Sequence, residues 1–152
     1  MEKKEDKKNG NVESNVAISR RIIGGDTPIV INEITDRCLF SSFYGTLDSV
    51  RMKRVIDGLL EVVNRNDNDM IIIDLSNIDI IDSTIAAHIK KLNKLLQLLG
   101  MEVIFCGIKP IVANSMVSAG VELENIQVQK NLKQALTEVY KKLGLTLQKS
   151  KS

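Results

Sequence analysis

The stretch Met70–Leu75, MIIIDL, constrains the fold of this chain more than any other. It is a continuous apolar run carrying one charge, preceded by the polar loop NRNDND, and it reads as a central strand covered on both faces of a sheet. After the short segment SNIDIID, Ile85, Ile89, Leu92, Leu96 and Leu99 recur at three- and four-residue steps. That period predicts a helix with one apolar face over Ser83–Leu99, stopped by Gly100. MEVIFCG follows as the next strand. Strand, helix and strand in that order argue for a parallel sheet.

The flanking segments extend the same pattern. PIVINEI and CLFSSFYG are two β-rich runs broken by Thr35-Asp36-Arg37, which reads as a hairpin. Asp48 is placed to cap a helix running to about Val63, with Val50, Val55, Leu59 and Val62 near one face. Lys109-Pro110 opens another helix to about Ala119, with proline in the first turn, where its missing N–H costs nothing. ENIQVQ is a short edge strand, and Leu132 to Leu143 forms a last amphipathic helix. The expected order is β-β-α-β-α-β-α-β-α: one α/β domain over 27–145, with a mixed, mostly parallel sheet packed against helices. Residues 1–26 mix both charge signs with Asn, Ser and Gly and bury too little apolar surface to offset their ordering entropy, so a flexible charged tail is expected. Within it, AISRRII could form a helical turn on a partner, but a solvated linker is the expected reading. Residues 146–152, TLQKSKS, are expected to fray.

Several function classes are hard to build here. With 21 basic and 19 acidic side chains the net charge is +2, which gives no field for a phosphate backbone, and two tyrosines and three phenylalanines offer little to stack on bases. Nucleic acid is not an expected partner. Cys38 and Cys106 lie far apart in apolar runs with no zinc spacing, and read as buried reduced thiols. His88 is the only histidine, which rules out a multi-histidine metal site. No apolar run approaches the ~20 residues of a membrane helix, and the N-terminus lacks a signal-peptide core, so a cytoplasmic protein is expected. There is no phosphate-cradling glycine loop. His88 stands five residues beyond Ser83 on the same helix, rotated well away from it and on the side of Leu92 and Leu95, as a partly buried structural residue would be. No enzyme, cofactor or metal is expected. Asp74, Asp79 and Asp82 suit either a phospho-acceptor or Mg²⁺ site, or the commoner task of solvating and capping loops.

Ser83 and Thr84 fall where the helix begins. Asp and Ser are preferred N-caps, and capping alone accounts for them. The same position tolerates a phosphate, because a helix N-terminus carries partial positive charge and free N–H groups. Phosphorylating Ser83 would add close to two negative charges beside Asp82 without unfolding the domain. Physics permits both readings.

The segments IDLSNIDIIDS, GIKPIVANSMVSAGVEL and GTLDSVRMKRVIDGLL resemble the STAS-domain family of anti-anti-sigma factors over about Thr27 to Leu143. The similarity is to its stressosome branch, the RsbS and RsbR type scaffold proteins. Sporulation-type members continue D-S-S-G-L-G at the key turn where this chain has D-S-T-I-A-A, a departure that favours the stressosome branch. Between the two types the features divide: a single domain without an N-terminal sensor resembles the RsbS type, whereas A-A-H-I after Ser83 and TPIV at the domain start resemble the RsbR type.

The resemblance implies that Ser83 is the main phosphorylated hydroxyl, Ser115 a secondary one as in the RsbR type, and Thr84 a further candidate. It implies a non-enzymatic phosphoswitch that joins related sensor-bearing STAS proteins in a homo- or hetero-oligomer, up to a large particle. That assembly would sequester and release a GHKL-type serine/threonine kinase in a general stress response. The expected docking surface is Asp79, Asp82, Ser83, Thr84, Lys109 and Pro110. The alternative is a solitary anti-anti-sigma factor that binds an anti-sigma kinase one to one.

Overall fold

The computed structural model describes residues 29–122, 125–146 and 148–150. The charged segment 1–26 and part of the C-terminal stretch lie outside the described residues. The elements are β1 (Ile29–Thr35), β2 (Cys38–Tyr44), α1 (Ser49–Arg65), β3 (Met70–Asn77), α2 (Ser83–Leu98), β4 (Glu102–Cys106), α3 (Pro110–Ser118), β5 (Gln127–Gln129) and α4 (Leu132–Lys142). This is the expected order. The final strand is shorter than ENIQVQ suggested.

One five-stranded sheet runs β1-β2-β3-β4-β5. β1 and β2 form the antiparallel hairpin, with Ile29 opposite Phe43, and every later pairing is parallel. Successive parallel strands that are also neighbours need crossovers of one hand. Those crossovers put α1, α2 and α3 on the same face, where their buried side chains join one core. Alternation along β3 shows why its sequence is apolar throughout. Ile71, Ile73 and Leu75 point into that core, while Met70 and Ile72 point to the opposite face, under Ala135 and Val139 of α4.

Two helix faces differ from expectation at one residue each. On α1 the buried set is Met52, Val55, Ile56, Leu59, Val62 and Val63, and Val50 is 64% exposed. Val50 stands five residues before Val55, about 140° round the helix, so it cannot share that stripe. On α2 Ile85, Ile89, Leu92 and Leu96 are buried as expected, but the helix ends at Leu98. Leu99 is the C-cap residue, beyond the last turn, and is exposed.

Candidate functional site at the ends of β3 and β4

The loop between β3 and α2 is held by its apolar residues and presents its polar ones. Ile78 and Ile81 are buried, while Asp79 and Ile80 between them face outward. The Ile78 N–H donates to the Leu75 carbonyl at 3.0 Å, closing the turn at the strand end. Asn77 Nδ2 donates to Ser42 Oγ at 3.3 Å, which ties the loop's start to β2.

Asp82, and not Ser83, caps α2. Its carboxylate accepts the Ile85 N–H at 2.8 Å, and its carbonyl accepts the Ala86 N–H at 3.0 Å. The sequence allowed either residue the cap. The carboxylate takes it because it stands one residue earlier, in the extended conformation an N-cap requires. Ser83 is thereby the first helical residue. It and Thr84 are exposed, and among the described residues neither hydroxyl has a hydrogen-bond partner. With its cap occupied, the helix start holds a hydroxyl with no structural task.

The second loop comes from the end of β4. Gly107 adopts φ +69, and a Cβ there would stand 2.6 Å from Asp74 Oδ1 and 2.9 Å from Ser76 Cβ. Only glycine lets this turn pass so close to β3. Asp74, buried on β3, accepts the Ser76 N–H at 2.9 Å and so shapes the same strand end. The turn leads to Lys109, the N-cap residue of α3, with Pro110 behind it in the first turn. Lys109 makes no cap bond through its side chain. Its Nζ instead donates to Asp79 Oδ1 at 2.5 Å, joining the two loops.

Asp79, Asp82, Ser83, Thr84, Lys109 and Pro110 therefore lie on the two loops at one end of the sheet. Ser115 lies further along α3, half-buried, and its hydroxyl donates to the Ile111 carbonyl at 3.0 Å. Two residues of this surface were not foreseen. Ile80, next to Asp79, and Ile111, two residues after Lys109, are 73% and 57% exposed. The only sequence signal for them was an isoleucine out of step with its neighbours.

Among the described residues no cluster of His, Cys, Asp or Glu is placed to hold a metal ion. Cys38 and Cys106 are free and buried, and burial pushes each thiol up to about 12, which keeps both protonated and unreactive. His88 is half-buried on α2. No helix among the described residues is long and apolar enough to cross a membrane.

The fold is an α/β domain in which two loops at one sheet end are tied by the Lys109–Asp79 pair. The chain belongs to the STAS domain family, whose model matches residues 30–135. It is similar to two RsbT co-antagonist proteins of Bacillus subtilis (strain 168). RsbRB is 33% identical over 92 residues, covering 60% of this chain and 33% of that protein. RsbRA is 28% identical over 92 residues, covering 60% and 34%. The chain thus spans about a third of the length of these curated relatives.

Among solved structures, an RsbS variant from Moorella thermoacetica superposes with a TM-score of 0.68 at 22% identity, covering 77% of this chain and 98% of that one. A chain from the molecular architecture of the stressosome, described as a signal integration and transduction hub, gives 0.67 at 24% identity, covering 76% and 99%. These two likenesses establish the fold.

Proposed function

We propose that this chain is a non-enzymatic scaffold of a stressosome-like complex, switched by phosphorylation of Ser83. In its unmodified state the tied loops hold a GHKL-type serine kinase. Phosphate on Ser83 weakens that hold, and the released kinase acts on a downstream partner in a cytoplasmic stress response. The kinase supplies ATP and Mg²⁺, so the scaffold needs no cofactor of its own.

One observation carries the reading: Ser83 is exposed at the first position of α2 while Asp82 does the capping. A hydroxyl there is open to a kinase, and its modification does not remove a bond that holds the helix. The helix N-terminus favours the added charge in place. Asp82 and Asp79 beside it make the modified surface strongly acidic. The relatives are named for co-antagonism of RsbT, which supports a partner-binding role for this surface. Ser115 is the weaker second site, because its hydroxyl already serves the Ile111 carbonyl.

The test is phosphosite mapping by tandem mass spectrometry after incubation with ATP and the host's switch kinase. Stoichiometric phosphate on Ser83 is expected. Phosphate on Ser115 instead would move the chain toward the RsbR type, and none on either would leave it a passive scaffold. A one-to-one complex with the kinase, in place of a large particle, would favour a solitary anti-anti-sigma factor.

A further inference from the structure

A pocket of about 200 Å³ opens between the second half of α2 and the segment joining α3 to β5. From α2 it is lined by Lys90, Asn93, Lys94 and Gln97, which follow one another at three- and four-residue steps along one face. Asn93 is the unusual member, because it is polar and yet only 3% exposed. Its Nδ2 donates to the Asn125 carbonyl at 3.5 Å, whereas among the described residues its Oδ1 has no hydrogen-bond partner. Turning the amide over would set that oxygen against the carbonyl, so the unpaired atom is an acceptor. A buried acceptor without a donor is costly and calls for one. Lys90 and Lys94 line the same pocket, and among the described residues neither has an ion-pair partner. Glu122 also lines it without pairing with either lysine. Gln97 uses its Nε2 on the Asn125 carbonyl at 3.2 Å, which leaves its Oε1 as a further acceptor.

We propose that this pocket binds a small phosphate monoester that also carries hydroxyl groups, of the three-carbon polyol phosphate class. A monoester holds close to two negative charges at neutral pH, which matches two unpaired ammonium groups one helical turn apart. Lysine meets such a group as a point charge, so no fixed fork of donors is needed. The ligand's hydroxyls supply the donors that Asn93 Oδ1, Gln97 Oε1 and the Glu122 carboxylate lack. A plain phosphate ion would satisfy the lysines and leave most of these acceptors unpaired, and a neutral polyol would do the reverse. Volume sets the size of the occupant. The pocket is smaller than the ~300 Å³ at which sites for drug-sized ligands begin, which favours a three-carbon ligand over a nucleotide. Ile126, half-buried, gives the carbon chain an apolar wall. Lys90 stands about 10 Å beyond Ser83 along α2, so this site is distinct from the phosphorylated surface.

The experiment is isothermal titration calorimetry of the full chain, with thermal unfolding alongside, using glycerol 3-phosphate, inorganic phosphate and glycerol as probes. Glycerol 3-phosphate is expected to bind and to raise the melting temperature as it saturates the site. Inorganic phosphate should bind at least about ten-fold more weakly, and glycerol should give no heat. Replacing both lysines, Lys90→Gln with Lys94→Gln, should weaken glycerol 3-phosphate at least about ten-fold. Asn93→Leu should abolish the preference for glycerol 3-phosphate over inorganic phosphate. Because it removes an unpaired acceptor, it should not lower the melting temperature of the unliganded chain. Should Asn93→Leu fail to fold, the lysine pair and the comparison of probes still decide the matter. Neither heat nor a melting shift with glycerol 3-phosphate would overturn the proposal and leave the cavity to water. Equal affinity for inorganic phosphate would overturn it in favour of a general anion patch, and binding that survives the double lysine substitution would place the site elsewhere. None of these outcomes depends on phosphorylation of Ser83.

Discussion

Lys109 Nζ donates to Asp79 Oδ1 at 2.5 Å, so the turn that opens α3 is tied directly to the loop that opens α2. Both partners are well exposed, and an exposed ion pair contributes below about 1 kcal/mol. Lys109→Ala is therefore expected to leave the denaturation midpoint nearly unchanged. Its effect should fall on recognition, because the two loops are no longer fixed relative to each other. Kinase affinity measured by calorimetry should drop, and Asp79→Ala should reproduce the loss. Unchanged affinity in both variants would show that the tie plays no part in docking.

Gly107 provides a sharper structural test. Gly107→Ala must place a Cβ 2.6 Å from the Asp74 carboxylate in a left-handed conformation. Gly100 has a similar φ of +82, but a Cβ added there would meet nothing within 4 Å. Gly100→Ala should thus cost only the backbone term, about 1 to 2 kcal/mol. Gly107→Ala should cost clearly more, because Ser76 backbone also lies within 3.1 Å and cannot swing aside. Urea titration of both variants checks the ranking, and equal costs would mean that the β3 strand end yields easily.

Much of this architecture was legible because its determinants are local. MIIIDL is apolar on both faces because helices lie on both, and Pro110 marks the start of α3 because its ring suits a first turn. The unpredicted features depend on contacts between distant segments. Lys109 and Asp79 are thirty residues apart, and no spacing rule connects them. The exposure of Ile80 depends on which of three nearby isoleucines the core accepts, and it accepts Ile78 and Ile81. The Asp82–Ser83 ambiguity was resolved by backbone conformation, which two adjacent capping residues do not encode.

Separate roles for Asp82 and Ser83 predict separate mutant behaviour. Asp82→Ala removes the acceptor for the Ile85 N–H and should cost about 1 kcal/mol. Ser83→Ala removes no hydrogen bond and should shift stability by less than about 0.5 kcal/mol. Phosphate incorporation should vanish in Ser83→Ala and persist in Asp82→Ala. If Ser83→Ala destabilises as much as Asp82→Ala, the serine has a structural role after all.

Acid should weaken the fold through two carboxylates at the opposite end of the sheet. The Lys142 ammonium, hydrogen-bonded to Glu102, holds that carboxyl below the usual glutamate range, with Gln127 assisting. The Arg37 guanidinium likewise holds Asp69 below the usual aspartate range, donating to both of its oxygens at 3.2 and 2.5 Å. A carboxylate whose folded pKa is depressed stabilises the protein fully above its unfolded pKa, about 4 for both types. That contribution is lost as pH falls through the lower folded value. Stability is therefore expected to be level from neutral pH down to about 5 and to decline below about 4. Glu102→Gln should flatten part of the decline while lowering neutral-pH stability by under about 1 kcal/mol, since the pair is partly exposed. Urea midpoints of the parent and Glu102→Gln from pH 3 to 7 measure this directly. Parallel curves would show that Lys142 adds nothing to folding through this pair.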